Sequence, residues 1–271
     1  MKHHLAAAAG TLAAAVALVV LLGAAGYAAT GAAFERVRHL QEVARQRPFT
    51  NGEIDQLTSL ASDKDWHVRA RALTALGHVS TPEQTAKAVK AMREALTDRS
   101  DVVRAYAATG LSLVGDTSVI PALTPLLNDP QPIVRLRADR AIGKLYLAAG
   151  ETDKAISADE AALRVADVDP AFLIPAARDL VAACQKAGRP ADAVAFVQSL
   201  LADDPTNHTY MEMLAIAYEG AGQPDKAAEW HRKAQAVPSP DTLRLKDLSG
   251  KEQTLAAYRG KLVLLNFFAS W

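Results

Sequence analysis

The most regularly placed charged groups in this chain are three arginines. Arg69, Arg104 and Arg135 each follow a valine, and the Val-Arg pairs begin at positions 68, 103 and 134, at intervals of 35 and 31 residues. A guanidinium can grip a carboxylate or a phosphate through two parallel N–H bonds, so a periodic row of three can form a basic stripe for an anionic ligand. The same row can instead be structural, each arginine tying an adjacent turn through carbonyls or a carboxylate. Asp63, Asp98 and Asp129 stand in the turns just upstream, placed to cap the helices that follow. Because the interval is that of a structural repeat, the sequence favours the ladder over the ligand stripe.

Other reactive groups are sparse. The single cysteine, Cys184, leaves no intramolecular disulfide, Cys-rich zinc site or CxxC pair within these residues. No His, Lys or helix start is placed to lower its pKa, so it reads as a small buried hydrophobe rather than a reactive thiol. The seven histidines show no metal-ligand spacing. Paired acids such as Asp203-Asp204 read as capping and solvation. No G-x-x-x-x-G-K-[ST] phosphate loop and no G-x-S-x-G elbow occurs. Asn207-His208-Thr209 fits a glycosylation sequon, a tripeptide that often arises by chance. No catalytic, cofactor-binding or metal residues are therefore expected. Thirty basic against thirty acidic side chains argue against a nucleic-acid binder, which needs clustered Lys and Arg.

The elements that carry these residues are helical. Half the chain is apolar, aromatics are 6 %, and 56 residues are alanine, a composition for closely packed helices. Three residues after each ladder arginine comes an alanine, Ala72, Ala107 or Ala138, on the same helical face as the valine. Asp, then Val-Arg, then Ala and Leu-Gly resembles short bacterial HEAT-type repeats, over residues 53–148.

A second period follows. Tyr146, Cys184 and Tyr218 each precede a glycine by four residues, and Gly150, Gly188 and Gly222 stand 38 and 34 residues apart. Ala155, Ala193 and Ala227 follow, then Ala162, Leu200 and Ala234, with Pro170, Pro205 and Pro238 closing the units. This pattern resembles tetratricopeptide (TPR) repeats, over residues 149–238. The expected fold is mostly α: a right-handed α-solenoid of HEAT then TPR helix pairs. Such solenoids hold a protein or peptide ligand on the concave face.

Both ends depart from the repeats. From Leu5 to Phe34 thirty residues carry no charge, so residues 1–34 read as a signal peptide or signal anchor that meets the membrane, followed by a linker helix over 35–52. Beyond Pro238-Ser239-Pro240, Leu243 to Leu245 alternates like a strand, Asp247 to Lys251 is a turn, Thr254 to Tyr258 can make one helical turn, and Leu262 to Phe268 is an apolar strand.

The run from Tyr258 to Trp271 is similar to the start of the TlpA-like thioredoxin family of exported thiol–disulfide oxidoreductases. That resemblance implies that 239–271 is the front of an α/β thioredoxin-like domain, with a CxxC expected after Trp271. A UGA read as selenocysteine and an ordinary truncation are the two readings of the stop. The resemblance also implies a periplasmic or extracytoplasmic body and, in complete form, an oxidoreductase. The alternative is an interaction scaffold with no redox role.

Overall fold

The computed structural model describes residues 31–236 and two short strands, 244–246 and 252–254. The apolar segment lies almost wholly outside the described residues, as do the Pro238–Pro240 junction and the strand expected at 262–268. Among the described residues no helix is long and apolar enough to cross a membrane.

The chain divides between Ala187 and Gly188 into two compact units. In the first, helix α1 covers residues 31–46, followed by α2 (Asn51–Leu60), α3 (Trp66–Leu76), α4 (Pro82–Ala95) and α5 (Asp101–Leu113). Then come α6 (Ile120–Leu123), α7 (Pro132–Ala148), α8 (Thr152–Leu163) and α9 (Pro170–Lys186). Helix starts follow local chemistry. Thr50 and Glu53 form a reciprocal capping box at α2, and the Asp65 side chain accepts from the His67 N–H at α3.

Helices α3, α5 and α7 pack side by side, while α2 and α4 pack against them and each other. The third outer position holds no long helix. Thr117–Val119 and Thr124–Asn128 are 3-10 turns flanking the four-residue α6. Pro121 and Pro125 cannot donate to a helical ladder, which accounts for the broken outer helix. The same shortening explains why the second Val-Arg interval is 31 residues and the first 35.

Close approach of α3 and α5 depends on a missing side chain. A Cβ at Gly110 would lie 2.5 Å from Met92 Sδ and 2.7 Å from the Leu73 carbonyl oxygen. Buried alanines at 72, 75, 105, 107, 108, 138 and 141 keep the layer thin, and Leu73, Leu76, Leu111 and Leu145 fill it.

Two boundaries differ from expectation. Val37, Leu40 and Phe49 are buried in the same core as the repeats, so 35–52 is a packed element rather than a linker. Nor do the compact units part at 148/149. Helix α7 is 17 residues long, against 11 and 13 for α3 and α5, and carries Arg135 at one end and Tyr146 at the other. It ends at Gly150, whose φ of 80° opens the turn into α8, and α8 packs on α7. One helix thus serves both patterns. Pro170 opens α9 as its first residue instead of closing a unit.

The second unit contains α10 (Pro190–Asp203), α11 (His208–Gly220) and α12 (Pro224–Ala236). α11 packs on both neighbours and buries Met213, Leu214 and Ala217. Gly188 and Gly222, like Gly150, are left-handed, at φ 72° and 71°. Strands β1 (Arg244–Lys246) and β2 (Glu252–Thr254) pair antiparallel, Arg244 opposite Thr254. Thr254 therefore belongs to a strand and not to the helical turn expected from that residue.

Gly110→Ala should destabilise the chain by about 2 kcal/mol, since the Leu73 backbone cannot yield as a flexible side chain would. Urea denaturation followed by circular dichroism measures it.

Candidate functional site

The three arginines form a ladder. Arg69 donates from Nε and Nη2 to the two carboxylate oxygens of Asp98, both at 2.8 Å, and from Nη1 to the carbonyls of Asp63 (2.8 Å) and Lys64 (3.1 Å). Arg104 repeats the geometry one unit on. Its Nε and Nη2 reach Asp129 at 2.8 Å, and Nη1 reaches the Asp98 carbonyl at 2.9 Å. Arg135 binds the carbonyls of Asp129 and Pro130 at 2.8 and 3.2 Å. The aspartates do not cap their helices as expected. They sit two residues upstream of the cap position, where each accepts the backbone N–H of Asp65, Ser100 or Gln131 at 2.8–2.9 Å.

Each full rung therefore joins the arginine of one repeat to the turn that starts the next. Burial pushes the Asp98 and Asp129 carboxyls up, but the arginine and backbone hydrogen bonds outweigh it and hold both below the usual carboxylate value. With their forks engaged, Arg69 and Arg104 are not free to bind a ligand.

The positions two residues after each ladder arginine point elsewhere. Arg71, Tyr106 and Arg137 are equivalent in register on α3, α5 and α7. Arg71 lies 4.8 Å from the Phe34 ring centroid, and Arg137 lies 5.9 Å and 5.3 Å from those of Tyr106 and Phe172. Tyr106 and Leu113 are exposed large apolar side chains. No repeated residue type marks this second row in the sequence; its one signal there is the offset of two from each ladder arginine.

A buried carboxyl lies behind this face. Asp159 of α8 is 1 % exposed, and its Oδ1 has no hydrogen-bond partner among the described residues. Gly143 makes room for it, since a Cβ there would stand 2.4 Å from that oxygen. Burial, and then the Asp179 carboxylate, push the Asp159 pKa up to about 8, against the pull of Arg140 and Lys144. The carboxyl is protonated at neutral pH. Asp139 is pushed up to about 6 by burial alone.

In the second unit His231 lies between Glu212 (2.8 Å) and Glu219 (3.3 Å). Burial alone would lower its pKa; the hydrogen bonds to the two glutamates prevail and raise it. No group of three or more His, Cys, Asp or Glu among the described residues is placed to hold a metal. Cys184 is fully buried, in the register slot shared with Tyr146 and Tyr218. Asn207, the sequon asparagine, accepts from the Tyr210 N–H and donates to Asp204, which makes it the cap of α11.

Residues 89–171 match the family of HEAT repeats. The match covers Arg104, Arg135 and all of α7 and α8. No curated protein matches the chain. A solved structure of an engineered protein from the Northeast Structural Genomics Consortium is similar at 19 % identity, with a TM-score of 0.39 over 72 % of this chain and 89 % of that one.

Arg104→Ala should cost about 3 kcal/mol by leaving the largely buried Asp129 carboxylate without its cation. Because the Asp98 and Asp129 pKa values are depressed, their contribution holds above the ordinary carboxylate range and is lost as pH falls through the folded values. An acid titration of the thermal midpoint should show this loss diminished in Arg104→Ala. Asp159 acts with opposite sign. Its pKa is raised, so stability falls as pH rises from about 4 through about 8. Asp159→Asn should flatten that decline, and the difference in midpoint between the two proteins should grow towards pH 9.

Proposed function

We propose that this chain is an interaction protein whose helical repeats hold a protein or peptide on the face built by α3, α5 and α7. The supporting observation is the division of labour between two registers. Arg69 and Arg104 are consumed by the ladder, while Arg71, Tyr106 and Arg137, two residues further along, leave the core for the surface. A helix layer that stacks arginines on aromatic rings at repeat-equivalent positions resembles the amphipathic surfaces at which partners anchor. The match to HEAT repeats is consistent with a binding scaffold.

In this reading the full architecture is a right-handed solenoid, with TPR pairs following the HEAT-type units and turning at Gly150, Gly188 and Gly222. The body is exported and tethered by the apolar segment between Leu5 and Phe34. The chain is then the front part of a TlpA-like thiol–disulfide oxidoreductase, with the solenoid recruiting clients. The run from Tyr258 to Trp271 supports that second part, and the β1–β2 hairpin is compatible with the entry to such a domain. A purely binding role without redox chemistry is the alternative.

A random-peptide display selection on the immobilised full chain should enrich binders. Their affinity should fall about tenfold in Tyr106→Ala and stay unchanged in Glu94→Gln, on the opposite layer. A selection without enrichment overturns the binding role. Insulin reduction by a chain extended through the downstream reading frame, with no reduction by the 271-residue chain, would support the redox role; inactivity of the extended chain would overturn it.

A further inference from the structure

One guanidinium in the first unit is fixed by rings and has no acceptor. Arg137, half-buried on α7, lies 5.3 Å from the Phe172 ring centroid and 5.9 Å from that of Tyr106. Among the described residues nothing accepts a hydrogen bond from it. Burial, and then neighbouring Arg140, lower its pKa, so the cation is held at a cost. The two rings stabilise its charge but leave its N–H edge unfilled, and a guanidinium has five donors.

The surroundings are cationic. A small pocket of about 50 Å³ beside Arg137 is lined by Thr109, Ser112, Arg140, Ala141 and Lys144. The Thr109 and Ser112 hydroxyls donate to the carbonyls of Ala105 and Thr109, so the cations supply the donors that an incoming group would meet. Asp179 takes Arg140 through Nε at 2.7 Å and lies 3.6 Å from Lys144. Asp179 thus serves Arg140 and Lys144, and the other acids among these charges, Asp139 and Asp159, have their pKa values pushed up to about 6 and about 8, so that Arg137 keeps no carboxylate of its own within hydrogen-bond reach among the described residues. The pocket suits a single planar carboxylate and is far too small for a nucleotide, whose sites run to hundreds of Å³.

We propose that Arg137 is the docking point for a carboxylate side chain of an acidic peptide segment lying across the α5–α7 face. The guanidinium edge receives the acid through two parallel bonds, and Tyr106 and Phe172 wall it in. Exposed Leu113 at the end of α5, and Arg71 and His78 on and just after α3, continue the surface along the same helix layer, which a small free anion would not use. This inference rests on the chain's being a peptide-binding protein, and it adds the chemistry of the peptide.

The test is fluorescence anisotropy of the full chain with a fluorescein-labelled peptide of alternating Glu and Leu, at low salt where charge contacts are least screened. Wild type should bind, and the same peptide with Gln for Glu should not. Arg137→Gln should weaken binding at least about tenfold, and Arg137→Lys by less, since an ammonium keeps the charge but not the fork. Lys90→Gln, on the opposite layer, should have no effect.

Circular dichroism establishes that the variants are folded. Should Arg137→Gln fail to fold, Tyr106→Ala at the exposed ring carries the test, with a loss of about fivefold expected. Equal binding by wild type and Arg137→Gln overturns the site. Equal losses in Arg137→Gln and Lys90→Gln do so too, because they would show diffuse charge attraction. Displacement of the peptide by equimolar inorganic phosphate overturns the peptide as the source of the anion. If display-selected peptides bind and the acidic peptide does not, the inference fails while the binding role stands.

Discussion

The first unit depends on a single recurrent constraint: a guanidinium near the start of an inner helix must find its carboxylate in the turn of the following repeat. Arg69–Asp98 and Arg104–Asp129 meet it with two bonds each, and further bonds, two from Arg69 and one from Arg104, hold the turn before each arginine's own helix. The turns of successive repeats are thereby set at one spacing. Given that spacing, Gly110 and the buried alanines let the helix layer close, and leucines fill what remains. The ion pairs do not supply the bulk of the stability, which comes from apolar burial. They specify which turn meets which.

Much of this was legible in the sequence because the repeat shows three times. Period, helix class, the structural use of Arg69 and Arg104 and the burial of Cys184 all follow from spacing. The finer geometry does not. Asp98 and Asp129 look like helix caps to a reader of single repeats; only the partner repeat shows that their oxygens are claimed by an arginine and by a backbone N–H two residues on. The absent outer helix of the third unit was signalled by Pro121 and Pro125, but the shortened interval alone did not say which helix would be lost. The packing of residues 35–52 was hidden because charges outnumber the few apolar side chains there, and Val37, Leu40 and Phe49 suffice to dock the segment.

The candidate binding face was the least legible part. Its residues vary in type from Arg to Tyr to Arg, so no repeat of identity marks them. What they share is register, and the significance of Arg137 appears only when two rings from other helices are seen around it. Asp159 is similar. As an acid in an alanine-rich helix it suggests solvent, yet the absence of a side chain at Gly143 admits it to the interior, where its charge is suppressed.

The ladder also bears on how such a chain can change length. Each copy of the cassette contributes one aspartate ahead of its helix and one arginine on it, and the arginine is satisfied by the copy that follows. Duplicating a cassette in frame adds one acid and one base and creates one new pair, so the count of orphaned charges stays the same; excising a cassette removes them together. Growth and contraction by whole units are electrostatically neutral events, and the two rungs, spanning 29 and 25 residues, show that the outer segment between them can change length without stranding a guanidinium.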